Sequence, residues 1–278
     1  MSNEQIDQLL QVAIRAARAG GELALSRLGN PGYMRWKEPG ELQAGATLDI
    51  QERIVQVIQA EFPNHKFLVE ENDEPQDDQA DPLWIIDPID GSMNFNQSLP
   101  VFAISIAFRT EGRYELGVVY DPSNNELFHA TFGHGAYLNG QPIFVDKLSE
   151  GEDAYAHAMV GTDLNGDFDT RRLALYIHRF LGSEVTQIWT MGSPALGLCY
   201  VAAGRLHAYY CLKLALWDVA AAGVIIRESG GTLTDISGGS WLFSKGGYLA
   251  TNGVIHGSML RGILPSMKNY QERQGKIA

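Results

Sequence analysis

The chain has 278 residues, is 45% hydrophobic and carries a formal net charge of −12, enough for one large domain or two intimate halves around a sizeable core. Such acidity disfavours a protein that grips a nucleic-acid polymer, which needs Lys and Arg against the phosphates. Cys199 and Cys211 offer neither a disulfide framework nor a zinc spacing, no apolar run approaches the ~20 residues of a membrane helix, and the N-terminus lacks a signal-peptide pattern, so a cytoplasmic protein with reduced thiols is expected.

Residues 4–28 place Ile6, Leu9, Leu10, Ala13, Ala17, Ala24 and Leu28 at helical spacing. This predicts an amphipathic helix with a kink at Gly20-Gly21. Residues 29–46, rich in Gly and Pro, read as a loop or loose hairpin around Tyr33–Lys37. Thr47 is the expected cap of a second helix over 48–60, which puts Asp49 in its first turn. Phe67-Leu68-Val69 reads as a strand running into Glu70-Glu71, followed by an acidic surface loop over 72–81.

The apolar run Leu83–Ile86 predicts a buried strand that ends in Asp87-Pro88-Ile89-Asp90-Gly91-Ser92. Pro88 cannot donate to a ladder, so the strand is expected to stop there. Gly91 permits a sharp turn, and Ser92 is the expected cap of a short helix from Met93. Two carboxylates thus sit at a strand's carboxyl end, facing a helix N-terminus, where open α/β sheets bind ligands. Crowded carboxylates need protons, basic partners or a cation. No Arg or Lys lies between Lys66 and Arg109. A hard divalent ion suits such oxygens, and a helix N-terminus suits a phosphate. The plain alternative is an Asx turn with solvated acids.

Val101–Phe108, Tyr114–Tyr120, Glu126–Thr131 and Ala136–Leu138 predict an antiparallel meander, with 140–154 as a connection. Beyond it, strands at Ala156–Val160, Val185–Trp189 and Leu206–Leu212 alternate with helices at Thr170–Leu181, Leu196–Ala203 (capped by Ser193, with Pro194 first) and Asp218–Ser229. Short strands at Leu233 and Tyr248–Thr251 precede a final helix over 256–264 and ten frayed residues. The pattern predicts one α+β domain of layered sheets and helices, in two halves of about 1–145 and 146–278.

Asp49, Glu70, Asp87, Asp90 and Asp218 all stand at boundaries of apolar elements. Asp87-Pro-Ile-Asp-Gly-Ser-Met-Asn-Phe95 is similar to the D-P-[IL]-D-G-[ST]-x-N-F signature of the inositol monophosphatase family. Glu70-Glu71 resembles its G-E-E element, with Val69 in place of the glycine. Trp217-Asp-Val-Ala-Ala-Ala-Gly223, followed by Glu228-Ser-Gly-Gly231, resembles its second signature. Order and spacing agree from about residue 5 to 264.

The resemblance implies an αβαβα sandwich of the inositol monophosphatase and fructose-1,6-bisphosphatase type, usually a homodimer. It implies lithium-sensitive, Mg²⁺-dependent hydrolysis of a small phosphate ester, with two to three ions and Mn²⁺ as a substitute. Glu70, Asp87 and the Ile89 carbonyl would hold one ion; Asp87, Asp90 and Asp218 a second; Glu70 would help place a third. Asp49 and Ser92 would orient and deprotonate the attacking water, and the N–H groups of Gly91 and Ser92 would grip the phosphate. Gly192-Ser193-Pro194 matches a turn that contacts the substrate, with proline replacing alanine.

The sequence departs from the family where Cys211 replaces a glutamate that binds sugar hydroxyls. Lys213 lies two residues on and would favour a second anionic group, unless it faces solvent. Inositol phosphate, a bisphosphorylated nucleotide, fructose 1,6-bisphosphate and NADP all stay open as substrates. Lys37 aligns near a family lysine beside the third ion. His65, His129, His134, His178, His207 and His256 show no metal-ligand spacing. Two rival functions are a regulatory binding protein that kept the fold and a glycosidase with Glu70 and Asp87 as acid and base.

Overall fold

The computed structural model describes residues 1–38, 41–72, 75–147, 154–164, 166–243 and 246–274. Helix α1 (Asn3–Arg27), the hairpin β1 (Met34–Glu38) and β2 (Glu41–Ala44), and α2 (Gly45–Glu61) open the chain. There follow β3 (Lys66–Val69), β4 (Leu83–Asp90), α3 (Ser92–Asn96), β5 (Ala103–Thr110), β6 (Arg113–Asp121), β7 (Glu126–Thr131), β8 (Ala136–Leu138) and β9 (Gln141–Ile143). The second half holds β10 (Met159–Thr162), α4 (Phe168–Leu181), β11 (Gln187–Trp189), α5 (Pro194–Ala202), β12 (Ala208–Cys211), α6 (Leu216–Glu228), β13 (Thr232–Asp235), β14 (Tyr248–Thr251) and α7 (His256–Gln274).

Strands β3 to β9 form one sheet in sequence order, and the second sheet runs β11-β10-β12-β14-β13. Three apolar layers fix the stacking. Val12, Ala16, Ile50 and Ile54 of α1 and α2 cover Ile86, Ile104 and Val118 on one face of the first sheet. Leu198, Ala222 and Ile225 of α5 and α6 lie between its other face, at Ile85 and Val119, and Tyr209 and Tyr248 of the second sheet. Ile177 and Leu181 of α4 and Met259 and Ile263 of α7 close the far side on Val160, Tyr210 and Leu249. The result is the expected αβαβα sandwich. Among the described residues no helix is long and apolar enough to cross a membrane.

Several expectations are corrected. Helix α1 runs unbroken through Gly20-Gly21. A Cβ at Gly20 would lie 2.7 Å from an Ile54 carbon, and one at Gly21 2.6 Å from the Tyr120 ring. These glycines serve close packing on α2 and β6. Thr47 is not a cap: α2 begins two residues earlier, and the Thr47 hydroxyl donates to the Ala44 carbonyl at 2.7 Å. Strand β4 continues through Pro88 to Asp90 across an irregularity between Asp87 and Asp90. Residues 141–143, read as connection, pair with β8 as an edge strand. Helix α7 passes Pro265 and reaches Gln274, so most of the expected frayed tail is helical.

Candidate active site

The site begins with a register defect. Asp87 pairs with Ser105 of β5 and Asp90 with Ala103, so three steps on β4 oppose two on β5. Residues three apart in a regular strand face opposite sides. The extra residue, a bulge at Pro88-Ile89, cancels that alternation and brings both carboxylates to one side. Asp87 fixes the bulge locally, because one of its oxygens accepts the Ile89 N–H at 2.9 Å.

Glu70 arrives by strand pairing. β3 runs parallel to β4 with Val69 beside Ile86, and the Glu70 N–H continues the ladder to the Ile86 carbonyl at 3.2 Å. Its side chain therefore stands near Asp87, close enough for its charge to raise that carboxyl. Asp218 arrives by helix packing. Ser105, across the ladder from Asp87, donates its hydroxyl to the Trp217 carbonyl at 3.0 Å. This pins the start of α6 over the first sheet, and Asp218 turns back to accept the Ala215 N–H at 2.8 Å.

Asp87, Asp90 and Asp218 offer oxygens that lie within 4.8 Å of one another, the one group of metal-ligating side chains of this kind among the described residues. Burial raises the Asp87 carboxyl well above its usual range, and the charges of Glu70, Asp90 and Asp218 raise it further. Asp90 is raised for the same first reason and by Asp218, while hydrogen bonds from Ser193 and Ala195 pull it back. The charges that raise Asp87 most are other carboxylates. A largely buried, all-oxygen set of like charges fits a hard divalent cation such as Mg²⁺ and supplies none of the Cys or His ligands that zinc and softer metals favour.

Gly91 holds a left-handed φ of 98° and is the cap of α3, so Ser92 is its first residue and not the cap. A Cβ at Gly91 would also lie 3.0 Å from the Gly192 and Val101 carbonyls. Only glycine satisfies both the angle and the space. The turn Met191-Gly192-Ser193 therefore abuts the turn after β4, and the two halves meet at the site.

Other expected residues lie elsewhere. Asp49 is exposed on α2 and paired with Arg27 at 3.1 Å, outside the three-carboxylate group. Cys211 is buried, its thiol toward the carbonyls of Asp163 and Lys213. Lys213 is exposed, with its stem beside the 166–170 turn. Ser193 is fully buried and, although it begins α5, its hydroxyl donates to Asp90 instead of capping the helix. The side chains of Trp36 and Lys37 lie outside the described residues.

Ser105, Asn94 and Asp163 were missed. Asn94 donates to the Val101 and Met191 carbonyls at 2.8 and 2.7 Å. Asp163 accepts the Met191 and Gly192 N–H groups at 3.1 and 2.7 Å and the Tyr209 hydroxyl at 2.7 Å. The asparagine stands inside the first signature and could have been flagged from it. Nothing near Ser105 or Asp163 in the sequence marks their long-range partners.

Known proteins resemble this chain over nearly its whole length. A model of the inositol monophosphatase family matches residues 5–272. The Nus factor SuhB of Pasteurella multocida is 34% identical over 276 residues, covering 95% of this chain and 98% of the relative. The solved inositol monophosphatase of Thermotoga maritima superposes with a TM-score of 0.84 at 31% identity, covering 94% of this chain and 98% of its own. The extragenic suppressor protein suhB of Bartonella henselae superposes with a TM-score of 0.85 at 30% identity, covering 92% and 98%.

Proposed function

The chain belongs to the inositol monophosphatase family, and from that membership we propose that it hydrolyses a small phosphate monoester with Mg²⁺ held by Glu70, Asp87, Asp90, Asp218 and the Ile89 carbonyl. The observation that carries this reading is the meeting of the buried Asp87 and Asp90 with the half-buried Asp218, their carboxylate oxygens within 4.8 Å of one another.

When bound, Mg²⁺ neutralises a dianionic ester and lowers the pKa of a water. The chain's own groups do the rest. Asp87, central to the cluster, holds its place through the Ile89 N–H and its contact with Glu70. Glu70 and the Ser92 hydroxyl orient the attacking water and receive its proton, and Asp49 joins them only by giving up Arg27. The N–H groups of Gly91 and Ser92 grip the phosphate at the left-handed turn. Gly192, beside Gly91, borders the leaving group. Cys211 offers no carboxylate to a polyol, so a ring that depends on one is bound weakly. Lithium sensitivity, Mn²⁺ substitution and a homodimer follow from the family and are read in the same assays, with sedimentation for the last.

The glycosidase reading loses ground, because Asp87 is grouped with Asp90 and Asp218 in a cluster that suits a cation, whereas a glycosidase needs two carboxyls held apart about a sugar. The regulatory reading keeps one support, the name Nus factor carried by the Pasteurella multocida relative. The test is phosphate release from inositol 1-phosphate, fructose 1,6-bisphosphate, 3′-phosphoadenosine 5′-phosphate, NADP and glycerol 2-phosphate, with Mg²⁺ and with EDTA. Release that EDTA abolishes is expected. No release from any of them, with Mg²⁺ bound, favours regulation.

A further inference from the structure

We propose that Ser193 is a positioning residue for Asp90, which it reaches across the junction of the two halves, and that Asp163 and Asn94 hold the turn that presents it. The inference rests on the reading of Asp90 as a Mg²⁺ ligand.

One oxygen of Asp90, Oδ2, takes both the Ser193 hydroxyl and the Ala195 N–H, the latter at 3.0 Å. That oxygen is committed to the second half of the molecule. Its partner, Oδ1, takes neither of these bonds and is thereby the oxygen we assign to the group with Asp87 and Asp218. A carboxylate anchored through one oxygen presents the other at a fixed place, as partners of metal ligands commonly arrange. Asp218 is anchored in the same way, its Oδ2 taken by the Ala215 N–H. Two helix starts in the second half, those of α5 and α6, thus each fix one carboxylate.

The hydroxyl of Ser193 can do this only if its turn is rigid. Two successive peptide groups of that turn are held by side chains, through three hydrogen bonds. Asp163 takes the Met191 and Gly192 N–H groups, and Asn94 donates to the Met191 carbonyl. Asp163 is itself buried and braced by the Tyr209 hydroxyl. Gly192, at a φ of 74°, has no room for a side chain, since a Cβ would lie 2.9 Å from the Asn94 amide. The chain of contacts runs from Tyr209 through Asp163 and the turn to Ser193 and Asp90. Ser193 is fully buried, so its hydroxyl is spent on Asp90 and is not offered to a substrate.

The test is Mg²⁺ binding by titration calorimetry on the full chain, with the metal-free melting temperature measured alongside. Four proteins are compared: wild type, Ser193→Ala, Ser193→Cys and Ser266→Ala. Ser266 is a control of the same chemistry, a buried hydroxyl that donates to the Gly262 carbonyl at 2.8 Å in the outer helix α7. Ser193→Cys keeps the shape with a weak donor and preserves the comparison if the alanine variant does not fold. The expected result is Mg²⁺ affinity lowered by about 10–100-fold in Ser193→Ala, lowered less in Ser193→Cys, and unchanged in Ser266→Ala. Wild-type affinity in the Ser193 variants overturns the positioning role while leaving the Mg²⁺ reading intact. Weakening of equal size in Ser266→Ala also overturns it, by reducing the effect to general destabilisation. Failure of the wild type to bind Mg²⁺ removes the reading beneath it and the inference together.

Discussion

Asp87 and Asp90 share a side of β4 because one extra residue at Pro88-Ile89 offsets the alternation of the strand. Their chemistry is correspondingly sensitive. Asp90→Asn removes a charge from the cluster, and Mg²⁺-dependent phosphate release is expected to fall by more than the roughly 100-fold that loss of a supporting partner costs; near-normal release in that variant would discard the metal assignment. A second residue makes a pH prediction. Trp84 Nε1, which can only donate, hydrogen-bonds to His65 Nδ1 at 3.0 Å, so the ring is neutral there. Burial holds the His65 imidazole below its usual range. The unfolded chain binds that proton near pH 6.5, and the native ring binds it only at lower pH. The stabilisation is full above about pH 6.5 and is lost as pH falls toward the lower folded value. Melting curves from pH 8 to pH 5 should show a steeper acid limb in wild type than in His65→Gln, whose amide oxygen can still accept from Trp84.

Between elements, glycines set the closest approaches. A Cβ at Gly117 of β6 would lie 2.1 Å from the Ala221 carbonyl oxygen of α6. Both partners are backbone, so no rotamer change relieves the clash. Gly117→Ala is expected to cost at least the roughly 1–3 kcal/mol of an overpacked core, and because α6 carries Asp218 it should also weaken Mg²⁺ binding. Gly21→Ala sets two effects against each other. Helix propensity alone would gain about 0.5–1 kcal/mol. The Tyr120 ring, 2.6 Å from the new Cβ, outweighs this, since Tyr120 is itself fixed in the layer between α1 and β6. A lower melting temperature is expected, and a higher one would mean that the ring swings aside freely.

Over the whole molecule, the central apolar layer joins both sheets through α5 and α6. We propose that the two halves unfold together, in one calorimetric transition whose van't Hoff and calorimetric enthalpies agree; two resolved transitions would separate them. Mg²⁺ should raise that single transition, by about 2.7 kcal/mol at a hundredfold excess over Kd, or roughly 5 °C at this chain length. EDTA should reverse the shift.

Much of this was written locally. The apolar spacing of α1, the run before Asp87 and the Ala-rich stretch after Asp218 gave helix, strand and helix, because burial on one face imposes a period that a linear reading detects. The two acidic signatures named the ligand candidates for the same reason: they are short, and their chemistry is carried by residue type. The start of α2 and the bulge at Pro88 were misread, since each is decided by a neighbour distant in sequence: the Tyr33 and Pro31 carbonyls that take the Gly45 and Ala46 N–H groups, and β5 opposite the bulge. The close approach of Gly20-Gly21 to Ile54 and Tyr120 left no local trace either. The meeting of Glu70, Asp87, Asp90 and Asp218 belongs to the tertiary structure alone. So does the anchoring of Asp90 by Ser193, 103 residues away. Side-chain hydrogen bonds between the halves leave no periodic trace, and only the closing of the two sheets around α5 and α6 brings those groups within reach.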